Sequence, residues 1–267
     1  MTLPPHHQVV VDRFVAACRA DARVVAAFLG GSYAKGTADA FSDLDLYVIT
    51  ADAGYDEFIA GRADFLSLLG EPVFLENFDP LHLVLFVFAD GVEGELGVGR
   101  ASAFTHIHGG PYHVLLDKHN LLDGVAFPGY EPERAGQIEK LRRQMVWFWH
   151  DLSHFIAALG RGQLWSAYGQ LEALRRCYLI LARLREDVLH PEAGDEAYFK
   201  VERALPVETL SALAATLSSL DRDALLRSAR HVVRLYQAAA RELARTHGLD
   251  YPVKLEQVML ARLARLS

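Results

Sequence analysis

This sequence of 267 residues is poor in cysteine and has no long apolar run. Its only two cysteines, Cys18 and Cys177, lie far apart in segments of helical pattern, which argues against a disulfide framework and favours a reducing compartment. The N-terminus lacks a basic region followed by an apolar stretch, and no uninterrupted apolar run reaches membrane length. These absences predict a soluble, globular, cytoplasmic protein, and the hydrophobic content of 51% supplies a sizeable core.

The chain also lacks an excess of positive charge. Its formal net charge is −7 and its isoelectric point is near 5.9. Binding of duplex nucleic acid or tRNA is dominated by basic surfaces that neutralise phosphates, so extended nucleic-acid binding is not expected. A small or cationic partner fits better, because an acidic cleft attracts cations over a long range.

What the chain does contain is a glycine turn after a buried strand. The apolar run at 24–29 has the length and branching of such a strand, and it stops at Gly30 and Gly31. Without side chains there, backbone N–H groups can approach phosphate oxygens, and the Ser32 hydroxyl adds a further donor. Lys35 can then screen phosphate charge. The segment predicts a phosphate-binding turn.

A pair of aspartates opens the next predicted strand, at 43–50. The period of two along a strand sends Asp43 and Asp45 to one face and the leucines between and after them to the other. Two close carboxylates repel unless a cation lies between them, and oxygen ligands favour Mg²⁺ or Mn²⁺ over zinc. The pattern therefore predicts a divalent-metal site that serves a nucleoside triphosphate.

Together the two segments resemble the DNA polymerase beta-like nucleotidyltransferase superfamily. Its signature is a Gly-Ser turn, a spacer of about ten residues, and Asp-x-Asp or Asp-x-Glu on the next strand. In this chain the spacer ends at Ser42, directly before Asp43. The resemblance covers roughly residues 8–120. It implies a small mixed α/β domain that uses two Mg²⁺ ions, or Mn²⁺, to move a nucleoside monophosphate from ATP or another triphosphate to an acceptor. The residues expected to bind the nucleotide are Gly31, Ser32, Lys35 and Ser42.

The superfamily's third carboxylate lies on a later strand beside the first pair. Here an apolar run at 81–89, the turn Asp90-Gly91 and a run at 92–98 predict a β-hairpin. Glu93 and Glu95 share one face of its second strand, and Glu95 is favoured because it directly precedes an apolar residue. Glu93 stays an alternative, since a bulge at a neighbouring glycine would change the register. Asp43, Asp45 and Glu95 are thus the predicted catalytic residues and metal ligands.

The second half of the chain changes from strands and glycines to helical periodicity. The predicted division is a catalytic domain at 1–128 and a helical domain at 129–267, with a strand at 112–122 closing the first. Helices are predicted at 133–160, 164–189, 207–219, 221–248 and 253–266, with breaks at 160–162 and in the Pro191–Gly194 region. The fold class is α+β, a mixed-sheet nucleotidyltransferase domain followed by a helical bundle.

This arrangement resembles the aminoglycoside and lincosamide antibiotic nucleotidyltransferases, in which a helical domain supplies acceptor contacts. The resemblance implies transfer to a hydroxyl of a small acceptor and a role in antibiotic resistance. An aromatic cluster in the helical half has two interpretations, core filling or the wall of an acceptor pocket. Its members are Trp147, Phe148, Trp149, Phe155, Trp165 and Tyr168. The general base is Glu95 or, from the helical half, Glu172, whose alternative role is an ion pair with Arg176.

Several alternatives remain open at this point. The acceptor could instead be a protein or an RNA, as in nucleotidyltransferases paired with helical toxin partners. A degenerate fold that binds nucleotide for regulation is a further alternative function. The oligomeric state is a separate question, and a homodimer is one possibility. A zinc site is disfavoured at the histidines between residues 106 and 119, because no cysteine lies nearby.

Overall fold

The computed structural model describes residues 3–78, 82–129, 131–189 and 197–266. The chain divides into two compact units, Met1–Tyr130 and Glu131–Ser267. All described strands lie in the first unit, whereas the described elements of the second unit are helices. The predicted fold class, a mixed-sheet domain followed by a helical domain, is confirmed. None of the helices in the described ranges combines the length and apolar content that a membrane crossing requires.

The first unit begins with a helix and places short helices between its strands. Its elements are α1 (Pro5–Ala20), β1 (Val24–Leu29), α2 (Gly31–Ala34), β2 (Leu44–Thr50), α3 (Tyr55–Ala60), α4 (Arg62–Ser67), β3 (Pro72–Phe78), β4 (Leu83–Phe88), β5 (Glu93–Arg100) and β6 (His113–Asp117). Strand β1 matches its predicted run, whereas β2 begins one residue later than predicted, so that Asp43 precedes it. Strands β4 and β5 form the predicted hairpin. Leu81, at the predicted start of that hairpin, lies outside the described residues.

The strands form one sheet in the order β3-β4-β5-β2-β1-β6. Strands β2 and β5 run parallel, while the other neighbouring pairs run antiparallel. The pleat sends Leu44, Leu46 and Val48 into one apolar layer and Tyr47 and Ile49 into another. Because β2 is covered on both faces, it gives firm support to the residues at its start.

The two edge strands depart from the sequence-based prediction. Strand β3 is not predicted, because its side chains do not alternate in polarity and Val73 and Phe74 are exposed. Its pairing with β4 holds it in the sheet. Strand β6 is shorter than its predicted span of 112–122, because the Asp117 carboxylate accepts hydrogen bonds from the N–H groups of Leu121 and Leu122 and so forms a turn.

The second unit is built on long helices that share one apolar core. Its described elements are α5 (Arg134–Gly160), α6 (Leu164–Glu186), α7 (Val201–Ala204), α8 (Val207–Ala214), α9 (Arg222–His247) and α10 (Val253–Ala264). The rings of Phe148 on α5 and Tyr236 on α9 stack with their centroids 3.5 Å apart. Helix α6 contributes a buried stripe at the predicted three- and four-residue spacing: Leu171, Leu174, Tyr178 and Leu181.

Helix ends follow local signals where these are strong. At the start of α9 the Asp221 carboxylate accepts a hydrogen bond from the Ala224 N–H at 2.8 Å, and at its end Gly248 adopts a φ of 64°. Helices α6 and α8 end before their predicted ends, and the short α7 is not predicted. The predicted break at Pro191–Gly194 lies outside the described residues.

Candidate active site

The turn after β1 lies directly against the Asp45 carboxylate. Gly31 has a φ of 55°, a left-handed conformation that favours glycine. A Cβ atom at this position would lie 1.6 Å from Asp45 Oδ2, so no side chain fits there. The Gly30 N–H donates to the Asp45 carbonyl oxygen at 2.9 Å and ties the turn to the start of β2. The glycine turn and Asp45 therefore form one local unit.

The polar residues predicted to bind the nucleotide differ in their contacts. The Ser32 hydroxyl oxygen is buried and has no hydrogen-bond partner among the described residues. Lys35 lies close enough for its positive charge to act on the Asp45 carboxylate. The Ser42 hydroxyl accepts a hydrogen bond from the Asp39 N–H at 2.9 Å and so helps to close the loop before β2. Ser32 and Lys35 are therefore able to bind a ligand, whereas the Ser42 hydroxyl already has a hydrogen-bond partner.

The strand register brings two of the predicted carboxylates together. Asp45 on β2 and Glu95 on β5 are direct partners across the parallel pair. This register continues without a bulge along the whole of β2, so the shift that would exchange Glu93 for Glu95 does not occur. Asp43 and Glu93 line, together with Glu95, a cavity of about 260 Å³ at this end of the strands. Glu95 is thus the glutamate opposite Asp45, and Glu93 lies in the same cavity.

Asp45 lies in surroundings that disfavour its ionised form. Burial is the main cause, and the negative charges of Asp43 and Glu95 add to it. Against the weaker opposing effect of Lys35, these groups raise the pKa of Asp45 to about 7. A cation beside Asp45 would relieve this charge crowding.

Tyr47 contacts the carboxylate group, although the sequence pattern does not predict this contact. Its hydroxyl donates a hydrogen bond to Glu95 Oε1 at 3.0 Å, and its ring stacks on Phe28 with centroids 4.7 Å apart. Burial raises the pKa of Tyr47 far above its ordinary value, so the hydroxyl keeps its proton at neutral pH. His108 packs against the same ring. One signal in the sequence is that Tyr47 follows Asp45 by two residues and so shares its face of β2.

The carboxylates fit a hard divalent cation in their chemistry. Oxygen atoms of Asp43, Asp45 and Glu95 are the ligand type that Mg²⁺ and Mn²⁺ prefer, and a cation would offset the effect of burial and of the neighbouring negative charges on the pKa of Asp45. Among the described residues, however, no three His, Cys, Asp or Glu side chains converge as a group that could hold a metal ion. The described histidines between residues 106 and 119 likewise belong to no such group. The three carboxylates therefore fit a cation in donor type and charge but do not form a closed ligand set.

A larger cavity, of about 450 Å³, lies along α2 and the start of β6. Its lining includes Tyr33, Lys35, Tyr112 and His113. Tyr33 is held from α1, where buried His7 forms a hydrogen bond through Nδ1 with the Tyr33 hydroxyl. Aromatic rings beside a lysine suit a nucleoside and its phosphates. The sequence gives little signal for this cavity, because its residues meet only when β6 pairs with β1.

Comparison with known families agrees with this geometry. A family model described as streptomycin adenylyltransferase matches residues 6–266. The chain belongs to the streptomycin adenylyltransferase family. It is therefore a nucleotidyltransferase, and the predicted resemblance to antibiotic nucleotidyltransferases is confirmed. No curated protein matches the chain significantly. Among solved structures, an aminoglycoside 6-adenyltransferase from Bacillus subtilis is similar, with 13% sequence identity and a TM-score of 0.45 over 99% of each chain.

In this member of the family, the aromatic cluster of the helical unit separates into two sets. The buried set is Phe148, Trp149 and Phe155, and the exposed or partly exposed set is Trp147, Trp165 and Tyr168. Core filling is therefore confirmed for the first set. A role as the wall of an acceptor pocket stays a prediction for the second.

Glu172, the predicted alternative base, takes part in a polar network of the helical unit. Arg175 Nη1 donates to its carboxylate at 2.7 Å, and the Tyr198 hydroxyl donates to its other oxygen. The Arg175 side chain is buried and also donates to the Thr216 carbonyl oxygen at 2.7 Å. These contacts connect α6 with the segment after α8, and they favour a structural role for Glu172.

Proposed function

We propose that this chain transfers adenosine monophosphate from ATP, with Mg²⁺, to a hydroxyl group of an aminoglycoside antibiotic. The observation that carries the proposal is the pairing of Asp45 with Glu95 across β2 and β5, directly against the Gly31 turn. Membership of the streptomycin adenylyltransferase family supports the class of reaction and the class of acceptor.

The donor triphosphate is proposed to bind along the glycine turn. Gly31 allows the backbone to approach the phosphates, while the Ser32 hydroxyl and Lys35 supply a hydrogen bond and a positive charge. The nucleoside would enter the cavity between Tyr33 and Tyr112, since Lys35 also lines it. Ser42 would act indirectly, because its hydroxyl helps to hold the loop that leads to Asp43.

Asp43, Asp45 and Glu95 are proposed as the metal ligands of the site. When bound, Mg²⁺ would neutralise the triphosphate and the leaving pyrophosphate and would make the acceptor hydroxyl more acidic. Glu95 is also the favoured base, since an oxygen of its carboxylate can take the proton of the acceptor hydroxyl. The Tyr47 hydroxyl orients that carboxylate through the hydrogen bond to Oε1. Glu172 is less suited to this step, because Arg175 and Tyr198 already occupy both of its oxygens.

The acceptor is proposed to contact a cavity of the helical unit of about 630 Å³. Glu139, Trp147 and Asp151 line it, and carboxylates beside an aromatic ring suit a cationic sugar. Lys140 and Arg143 line it too, so the site recognises a ligand with polar groups of both kinds. The net charge of −7 favours the approach of a cation to the chain as a whole.

The deciding experiment is adenylyl transfer in the presence of Mg²⁺. Pyrophosphate release is measured with each of the four nucleoside triphosphates against a panel of aminoglycosides and lincosamides, and mass spectrometry detects the nucleotide added to the drug. We expect an adenylylated aminoglycoside with the wild-type chain and none with Asp45→Asn. The matched control is Asp64→Asn, which removes one exposed carboxylate from α4 and should keep wild-type activity.

Other outcomes would point elsewhere. A nucleotide added to protein or RNA, with no drug adduct, would replace the proposal by the macromolecular alternative. Nucleotide binding without transfer to any acceptor would favour the degenerate regulatory fold. Equal drug adenylylation by wild type and Asp45→Asn would contradict the assignment of the carboxylate site.

A further inference from the structure

Helix α9 carries a strongly basic face that the proposed function does not use. Three arginines and a histidine recur along it at spacings of three and four residues, which places them on one side of the helix. They line a cavity of about 540 Å³ together with serines of the segment that precedes α9. The polar lining is Arg227, Arg230, His231, Arg234, Ser218 and Ser219.

Two other arginines of the same helix have an acidic partner among the described residues, whereas these three do not. Arg222 pairs with Asp223 at 3.6 Å, and Arg241 pairs with Glu256. Among the described residues, by contrast, no carboxylate lies within 4.0 Å of the guanidinium groups that line the cavity. Like charges at these spacings destabilise a helix by about 0.2–0.5 kcal/mol per pair. A bound anion would remove that repulsion.

The cavity also contains hydrogen-bond donors, and hydrogen bonds hold one of its walls in place. The Ser218 hydroxyl oxygen is buried and has no hydrogen-bond partner among the described residues. Ser228 lines that wall and donates to the Thr216 carbonyl oxygen, which also accepts a hydrogen bond from buried Arg175. This network holds the serine segment against α9, so the basic side chains face a defined surface.

One carboxylate near the cavity, that of Asp221, has another role. The charge of Arg227 acts on it at longer range, but its oxygens accept hydrogen bonds from the Ala224 N–H and the Ser219 hydroxyl at the start of α9. It therefore caps the helix and leaves the three guanidinium groups available to an external anion.

We propose that this cavity is a binding site for an oligophosphate group. Guanidinium groups bind phosphate oxygens through paired, charge-assisted hydrogen bonds, and three of them match a ligand with more than one phosphate. A cavity of about 540 Å³ has room for several phosphate groups or for a nucleotide. The chemistry is shared by released pyrophosphate and by a separate phosphorylated effector.

The test uses inorganic tripolyphosphate as the probe, without metal, and isothermal titration calorimetry of the full chain. We expect the double variant Arg230→Gln/Arg234→Gln to weaken binding of tripolyphosphate by about tenfold or more, because the loss of even one charged hydrogen bond changes affinity by about this factor. The control variant, Arg245→Gln, removes an exposed arginine from the last turn of the same helix and should bind as wild type does.

Two results would overturn the proposal. The first is equal affinity of wild type and the double variant for tripolyphosphate. The second is a loss of affinity in Arg245→Gln as large as that in the double variant, which would mean that net charge alone attracts the probe. Thermal melting serves as the folding control, since removal of neighbouring like charges should leave the double variant at least as stable as wild type.

The sources of the phosphate are separated by kinetics. If the double variant loses the inhibition of adenylyl transfer by pyrophosphate, the cavity holds the released product. If tripolyphosphate binding is lost while that inhibition stays unchanged, the ligand is a separate phosphorylated molecule. The calorimetric result does not depend on the chain being an adenylyltransferase, so failure of one proposal leaves the other open to test.

Discussion

Replacing Asp45 by asparagine is expected to stabilise the metal-free protein above neutral pH while it abolishes nucleotidyl transfer. Burial and the charges of Asp43 and Glu95 raise the pKa of Asp45 from 3.8 to about 7. The folded state therefore holds this proton more tightly than the unfolded state does, and the free energy of unfolding falls as the pH rises between these values. Asparagine resembles the protonated acid in shape and carries no charge, so the variant escapes the penalty.

The size of the effect follows from the difference between the two pKa values. A rise from 3.8 to about 7 corresponds to about 4 kcal/mol at full strength. Because the Asp45 side chain is partly exposed, screening by water reduces this to about 2 kcal/mol. The penalty is complete above about pH 7 and falls to less than half of its full size by about pH 5. At pH 8 we expect Asp45→Asn to melt about 5 °C above wild type.

Thermal melting in EDTA at pH 8 and pH 5 measures this difference. Asp64→Asn controls for the loss of one charge and should melt as wild type does at both pH values. Addition of Mg²⁺ at pH 8 should raise the melting temperature of wild type more than that of Asp45→Asn, because the cation relieves the same repulsion. If Asp45→Asn melts no higher than wild type at pH 8 in EDTA, the ionised Asp45 carboxylate is not destabilised by burial and by the charges of Asp43 and Glu95. That result would contradict a metal site at Asp45.

Three further predictions follow from single contacts. Tyr47→Phe removes the donor to Glu95 and should lower kcat about tenfold while the KM for ATP stays nearly constant, in steady-state assays; a change confined to KM would contradict a role in orienting the base. Gly31→Ala would bring a Cβ to 1.6 Å from Asp45 Oδ2 and should reduce transfer about a hundredfold or more, with helical circular dichroism retained. Arg175→Met removes the buried, charged hydrogen bonds that Arg175 donates to Thr216 and should lower the free energy of unfolding by about 3 kcal/mol in urea titrations. An unchanged midpoint would mean that these hydrogen bonds add little to stability.

The parts of the site that the sequence predicts are those fixed by local geometry. The strand at 24–29 and the glycine turn are adjacent in the chain, so the turn must follow the strand. Asp43 lies one residue before β2 and Asp45 within it, and two positions in the chain are close enough for the charge of Asp43 to act on Asp45. The hairpin around Asp90-Gly91 follows from a two-residue turn signal, which places Glu93 and Glu95 on its second strand.

The parts that the sequence does not predict depend on contacts between distant segments. Tyr47 meets Glu95 because β2 and β5 pair in parallel, and no local pattern specifies this contact. The hydrogen bond between His7 and Tyr33 joins α1 to α2 across the same unit. Strand β3 is missed for a different reason, since an exposed edge strand has no buried face and therefore no alternating pattern.

The charge crowding at Asp45 is tolerated because the strand that carries it is strongly held. Leu44 and Leu46, on either side of Asp45, are both fully buried, and each buried leucine contributes about 1.5–3 kcal/mol to folding. Together they exceed the penalty of about 2 kcal/mol that the ionised carboxylate imposes above neutral pH. The alternation along β2 thus separates two tasks, because one face stabilises the sheet while the other presents the Asp45 carboxylate beside further negative charge. A strand buried less well at Leu44 and Leu46 would have less free energy with which to offset the ionised Asp45.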